Sequence, residues 1–211
     1  EEMLIQDQEK LLLDQRVSAA LAGERSPAWY FFPYAYAGNG SVSAHNEGGV
    51  TQGSYTPITL GGVNEMNPRA FAEGDGLGIT DDNYLYTNSW LWFYIPGSYL
   101  THATTIDVWP YFIIHGYYWV RADDAWWTSK EAQVRLRMRT RLWQYYYSPW
   151  FDWTVSDRGD DNIDEIARVD TSGWNIGARA RLSVGAWDPV YVQVLAELYG
   201  YTSGDGSFAL W

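Results

Sequence analysis

The densest group of side chains that could bind a ligand is the acidic segment 157–165, DRGDDNIDE. Hard cations such as Ca²⁺ take about six to eight oxygen ligands, and an acidic loop that contains glycine can supply them. The spacing differs from that of an EF-hand. The segment therefore predicts either a solvated acidic turn or a calcium site, and calcium is the one cofactor suggested. The candidate ligands are Asp157, Asp160, Asp161 and Asp164.

Aromatic rings form a second group of candidate binding residues. Flat rings bind the C–H faces of sugars, while neighbouring polar groups bind the hydroxyls. One pair of rings follows an acidic turn, and a second group lies within residues 145–153. The same rings are also suited to packing between sheets or between subunits. The candidate carbohydrate-binding residues are Trp126, Trp127, Tyr145, Tyr147 and Trp150.

Segment 134–142, VRLRMRTRL, alternates apolar residues or threonine with arginine. A strict period of two is typical of a β-strand with one buried face and one exposed face. Four arginines on one face repel one another unless acidic groups interleave with them. Glu197 is a candidate partner, and acids of a neighbouring subunit are the alternative. The arginines assigned to an interface are Arg135, Arg137, Arg139 and Arg141, and Arg179 and Arg181 form a second, shorter ladder.

Motifs of catalysis are missing from the sequence. The three histidines lack metal-ligand spacing, and no phosphate-binding or nucleophile-elbow motif occurs. A glycosidase needs two carboxyl groups at a defined separation, and the sequence singles out no such pair. We therefore expect a protein that is not an enzyme.

Period-two patterns and turn residues predict a mainly β chain. The predicted strands cover residues 84–95, 104–115, 117–121, 132–147, 150–156, 174–186, 190–201 and 207–211. The favoured architecture is an antiparallel β-sandwich of the jelly-roll type, in which Gly204–Gly206 makes a hairpin and the last strand is an exposed edge. A small outer-membrane β-barrel is the alternative, although two strands that are apolar on both faces do not suit a polar lumen.

Residues 3–22 predict the only helix, since they lack internal glycine and proline and are followed by Gly23. Its apolar stripe includes Leu13, Val17 and Leu21, which we assign to an interface with the domain itself or with another subunit. The expected organisation is a helix and linker over residues 1–27, followed by a sandwich domain over residues 28–211.

Composition limits the function of the 211-residue chain. A net charge of −12 disfavours nucleic acid and anionic membrane surfaces as partners. An aromatic content of 18% is about twice ordinary usage, so some rings must face a partner. With no cysteine, the fold depends on its core.

We expect a secreted structural subunit of an extracellular, cell-surface or virion assembly, such as a filament, fibre or surface layer, with its own copies as partners. A carbohydrate-binding module, assisted by calcium, is the second interpretation, and its partners would be glycans.

Overall fold

The computed structural model describes residues 35–58, 64–74, 82–122, 130–204 and 207–211, and all of them belong to the unit Pro33–Trp211. None of them forms a helix long and apolar enough to cross a membrane. The predicted N-terminal helix, with Leu13, Val17 and Leu21, lies outside these residues, so it and the predicted domain boundary stay predictions.

The described residues form fourteen strands and one short 3-10 helix, Gly97–Tyr99. The strands are β1 Ala37–His45, β2 Gly49–Ser54, β3 Pro57–Ile58, β4 Glu65–Met66, β5 Arg69–Gly74, β6 Asp82–Ile95, β7 Thr104–Val108, β8 Tyr111–Ala122, β9 Glu131–Trp143, β10 Phe151–Asp160, β11 Ile163–Trp174, β12 Ala180–Val184, β13 Val190–Ser203 and β14 Phe208–Leu210.

Two five-stranded sheets dominate the architecture. Sheet I has the strand order β1-β6-β13-β9-β10, and sheet II has the order β11-β8-β14-β5-β2. Two smaller pairs, β12-β7 and β3-β4, accompany them. Every strand pairing within the four sheets is antiparallel. The prediction of a mainly β, antiparallel protein is confirmed.

Strand β9 contains segment 134–142, and its two faces differ as the sequence predicts. Its burial alternates at every residue, so that Val134, Leu136 and Met138 are buried while the arginines between them lie on the opposite face. The same alternation runs along β13 except at Leu195, which is buried, and β13 pairs with β9 on one side and β6 on the other. Because the side-chain period of a strand is two, this register fixes which residues face outward on sheet I.

The inward faces of the sheets meet in an apolar core. Leu85, Leu142 and Leu198 are fully buried, and each such side chain contributes about 1.5–3 kcal/mol on transfer from water. Small residues let the sheets approach closely where β13 crosses β5. A Cβ atom built on Gly200 would lie 3.8 Å from the Ala72 Cβ and 3.9 Å from the Ala70 Cβ.

The strand predicted over residues 104–115 is interrupted. β7 ends at Val108, and β8 begins at Tyr111, because Pro110 has no N–H to donate to a ladder. β8 then continues through Gly116, where the prediction divided it. A Cβ on Gly116 would lie 3.2 Å from the Trp211 ring, so a glycine here gives that ring room.

The acidic segment is mostly strand rather than turn. Asp157 and Asp160 belong to β10, and only residues 161–162 separate β10 in sheet I from β11 in sheet II. β11 was not predicted, because Glu165 on its inner face and Ile166 on its outer face break the alternation of apolar and polar residues. Conversely, the strand predicted over residues 174–186 is reduced to β12, Ala180–Val184.

The prediction for the last strand was wrong. β14 does not form a hairpin with β13 but pairs with β5 and β8, in the middle of sheet II. It is therefore not an exposed edge. Backbone hydrogen bonds between Trp211 and Ala70, of 2.8 and 3.0 Å, extend this pairing to the last residue. The turn residues predicted a reversal but could not indicate that the chain changes sheets there.

Candidate functional site

The outer face of sheet I brings most of the predicted site residues together. β13 lies at its centre, and Glu197 on that strand is in register with Asn88 of β6 and Arg137 of β9. Aromatic side chains lie towards both ends of the face, and charged side chains lie between them.

The charged centre is a network within one chain. The Glu197 carboxylate lies 3.9 Å from Arg137 Nη1 and 3.3 Å from Arg139 Nη1. Arg139 Nε also lies 3.7 Å from Asp152 Oδ2 of the neighbouring strand β10. The Glu197 side chain is only 14% exposed, so these contacts are partly shielded from water. Two of the four arginines therefore find acidic partners on adjacent strands, as the sequence predicted for Glu197.

Aromatic rings accompany the other two arginines. Arg135 Cζ lies 5.0 Å from the centre of the Tyr199 ring. Arg141 Cζ lies 3.9 Å from the centre of the Tyr147 ring and 4.7 Å from that of Trp150. A guanidinium over a ring face gains roughly 0.5–1 kcal/mol at an exposed site. Each of the four arginines therefore contacts an acidic or aromatic side chain of its own chain.

One end of the face carries a continuous group of rings, here called the aromatic patch: Tyr36, Tyr94, Trp143, Tyr147 and Tyr191. The Tyr191 ring centre lies 5.0 Å from that of Trp143, 5.4 Å from Tyr94 and 6.3 Å from Tyr36. Trp143 also stacks on Tyr147 at 5.6 Å. Tyr36 is 56% exposed, Tyr147 48% and Tyr94 42%.

Sequence reasoning missed four members of the patch, Tyr36, Tyr94, Trp143 and Tyr191. Tyr94 and Tyr191 come from strands far apart in the sequence, and only the strand register places them opposite each other. One sequence signal could have pointed to this patch: aromatic residues recur on the same face of the strand within residues 84–94.

The opposite end of the face holds a tyrosine cluster made of Tyr84, Tyr86, Tyr199 and Tyr201. The Tyr86 and Tyr199 ring centres are 4.7 Å apart, and His45 stacks on Tyr84 at 5.0 Å. Burial raises the pKa of Tyr199 to about 12, and the neighbouring phenols Tyr86 and Tyr201 add to the shift. The pKa of Tyr201 is also raised, by burial and by its hydrogen bond to Asp82.

The predicted carbohydrate residues are only partly brought together. Tyr147 and Trp150 flank Arg141, whereas Tyr145 projects from the loop and donates a hydrogen bond to the Asp188 carboxylate. That hydrogen bond raises the pKa of Tyr145. Trp126 and Trp127 lie outside the described residues.

The four predicted calcium ligands do not form one site. Asp157 accepts a hydrogen bond from Gln133 at 2.7 Å on the sheet I side, while Asp164 accepts one from Trp119 at 3.1 Å on sheet II. The pKa of Asp160 is lowered, mainly by a side-chain hydrogen bond with Asp161 and also by the hydrogen bond that its carboxylate accepts from the Asp161 N–H. Over the described ranges, no three His, Asp or Glu side chains converge in a way that could hold a metal ion.

The second arginine ladder converges on a single carboxylate. Arg179 and Arg181 both donate hydrogen bonds to Asp107, including Arg181 Nη2 to Oδ2 at 2.6 Å. Arg179 also lies 3.9 Å over the Trp109 ring. Burial tends to raise the pKa of Asp107, but the hydrogen bonds from both guanidiniums outweigh it, so this pKa lies below its ordinary value of 3.8. The contact joins β7 to β12 and its preceding loop.

Comparisons with known proteins do not identify the chain. No family model and no curated protein matches it. Among solved structures it is similar to a chain described as "Structure of infectious bursal disease virus Gx strain", with 9% sequence identity and a TM-score of 0.11. The similarity covers 84% of this chain and 61% of that one, so this chain spans less than two thirds of its length. At that TM-score the likeness indicates neither fold nor function.

Proposed function

We propose that this protein is a non-enzymatic structural subunit of an extracellular or virion assembly, and that the aromatic patch of sheet I contacts a neighbouring subunit. The observation that carries the proposal is the exposure of Tyr36, Tyr94 and Tyr147 within one continuous group of rings. Large contiguous apolar patches are rare on the surface of monomers, and tyrosine and tryptophan are enriched in the energetic centres of interfaces.

The connectivity supports a jelly-roll sandwich as the framework of such a subunit. Without the outermost strands β1 and β2, the sheets have the orders β6-β13-β9-β10 and β11-β8-β14-β5. Apart from the consecutive pair β9 and β10, the chain passes from one sheet to the other at each step between these eight strands. Two such four-stranded sheets correspond to a jelly roll, an architecture that occurs in capsid domains and in lectin domains.

The layout of the outer face suits a specific contact. Rings such as Tyr94 provide contact area at a small cost in conformational entropy, since they have only two rotatable side-chain bonds. The Glu197 carboxylate beside them is paired with two guanidiniums of its own chain, so it can border the contact without being left as an unpaired charge. This arrangement resembles the apolar centre and polar rim of ordinary interfaces.

Size-exclusion chromatography with light scattering, in buffer without detergent, tests the proposal. The full chain is expected to elute as a defined oligomer or polymer, and Tyr94→Ser with Tyr147→Ser is expected to reduce its mass. The matched control is Ile176→Ser, which removes an exposed apolar side chain from the loop before β12. A wild-type chain that stays a 24.2 kDa monomer at the highest soluble concentration would overturn the proposal.

Carbohydrate binding is the second candidate, and one observation favours it. Arg141 lies between the rings of Tyr147 and Trp150, so this end of the face offers both ring surfaces and a hydrogen-bond donor for hydroxyls. A monomeric chain that binds members of a glycan array, and loses them on Tyr147→Ala or Trp150→Ala, would favour this function. Repeating the array with a calcium chelator tests whether calcium assists.

A further inference from the structure

One of the two edge strands of sheet II, β11, is long and regular. Within the described residues, β11 pairs only with β8, so its other side is an edge. It runs for twelve residues without proline, and its burial alternates over most of its length. Edge strands of this kind can pair with another chain unless charges or bulges prevent it.

The outer side of this edge carries an apolar side chain between two opposite charges. Ile166 is 68% exposed and is in register with Trp119 of β8. Asp164 precedes it and Arg168 follows it on the same face, since residues two apart in a strand share a face. Asp164 is in register with Arg121 on β8.

We propose that β11 pairs antiparallel with β11 of a second copy of this chain, about a two-fold axis at Ile166. Residues 163–169 of the two copies would then lie opposite each other. Ile166 faces the partner's Ile166, and each Asp164 faces an Arg168. With the flanking Trp119 of each copy, the outer faces form an apolar row of four side chains across the dimer.

β11 could pair with its own copy in several registers, and the charges that would lie opposite each other favour the register centred on Ile166. Centring the axis on Arg168 would place two arginines opposite each other, and centring it on Ala167 would place Asp164 opposite Asp170. Like charges directly opposite are destabilising in a sheet. Centring on Val169 pairs Arg168 with Asp170 but leaves Ile166 opposite a serine. On the outer face, only the register centred on Ile166 combines opposite charges with an apolar pair.

This pairing rests on the proposed function and specifies its partner as a second copy of the chain. An isologous contact through β11 closes on itself as a dimer, because the same surface is used on both sides. A larger assembly then needs a second contact, which the aromatic patch on the other sheet provides. The two contacts can therefore fail independently.

A cysteine at the axis tests the pairing directly. The chain has no cysteine, so a disulfide can form only between introduced residues. Directly opposite residues of antiparallel strands have Cα atoms about 4.5–5.5 Å apart, within the range that a disulfide spans. Mild oxidation of full-length Ile166→Cys is expected to give a disulfide-linked dimer about tenfold faster than Ile113→Cys. Ile113 is a matched control, since it lies on the same outer face and is 65% exposed.

Charge reversals in the Ile166→Cys chain distinguish pairing from local effects. Asp164→Arg alone and Arg168→Asp alone should each slow cross-linking, and the double reversal should restore it. Equal cross-linking at positions 166 and 113, or no rescue by the double reversal, would overturn the pairing. If cross-linking fails while the wild-type chain still forms large oligomers, the proposed function survives. If Ile166→Cys cross-links but the wild-type chain stops at a dimer, the aromatic contact is wrong instead.

Discussion

The Glu197 carboxylate contacts the Arg139 guanidinium diagonally across β13 and β9, at 3.3 Å, although Arg139 is in direct register with Leu195. The directly opposed arginine, Arg137, is further away at 3.9 Å. One acid thus serves two arginines of the ladder, and Asp152 approaches Arg139 from the other side. This sharing explains how closely spaced arginines can lie on one face of an acidic protein without a partner subunit.

We expect Glu197→Gln to destabilise the fold by about 1–3 kcal/mol, because it removes the shared charge from two partly buried guanidiniums. Urea unfolding, followed by tryptophan fluorescence, measures the change. Asp152→Asn is the matched control, since Asp152 is 48% exposed and an exposed ion pair contributes less than about 1 kcal/mol. Equal losses for the two variants would contradict a central role for Glu197.

The Asp107 cluster should make stability depend on pH in the acid range. The pKa of this carboxyl is lowered below 3.8 in the folded protein, so the folded state favours the ionised form. Its contribution is fully present above the ordinary pKa and is lost as the pH falls through the lower, folded value. Asp107→Asn should therefore cost about 1–2 kcal/mol at neutral pH, from the loss of charge-assisted hydrogen bonds.

The difference between wild type and Asp107→Asn should then shrink as the pH falls below 3.8. Chemical unfolding of both proteins over a pH series measures this. A difference that stays constant down to the lowest pH would mean that Asp107 acts by packing rather than by charge.

Local alternation made β9 predictable, since apolar residues and arginines repeat at every second position and one face must be buried. The edge strand β11 offered no such pattern, because the acid Glu165 lies on its half-buried inner face and the apolar Ile166 lies on its exposed outer face. The central position of β14 could not be predicted either. Its partners β5 and β8 are distant in the sequence, and a short strand has little pattern of its own.

The same limit applies to the candidate site, of which only one part was predicted. The arginines of β9 and their partner Glu197 could be found from residue type and alternation. The aromatic patch depends on the register between β6 and β13, which determines that Tyr94 faces Tyr191. A register is a property of paired strands, and local sequence patterns do not reveal which distant strands pair.

Tyr199 should limit stability at alkaline pH. Its pKa is raised to about 12 in the folded protein, from an ordinary value of 10.0, so folding favours the protonated phenol. That contribution is complete below pH 10.0 and is lost as the pH rises towards about 12. Tyr199→Phe has no proton to lose, so its unfolding free energy should fall less over this range than that of the wild type. Parallel decline in both proteins, measured by urea unfolding at each pH, would contradict the assignment.

Thr140 offers a route to a more stable protein. Its side chain is fully buried in β9, and among the described residues its hydroxyl has no hydrogen-bond partner. A buried, unpaired hydroxyl costs about 1–3 kcal/mol, and valine has nearly the same shape without the polar atom. Thr140→Val should therefore raise the unfolding free energy by about 1 kcal/mol, seen as a higher urea midpoint with an unchanged slope. Thr154→Val, at an exposed position of β10, should have little effect, and a loss of stability in Thr140→Val would show that the hydroxyl is satisfied.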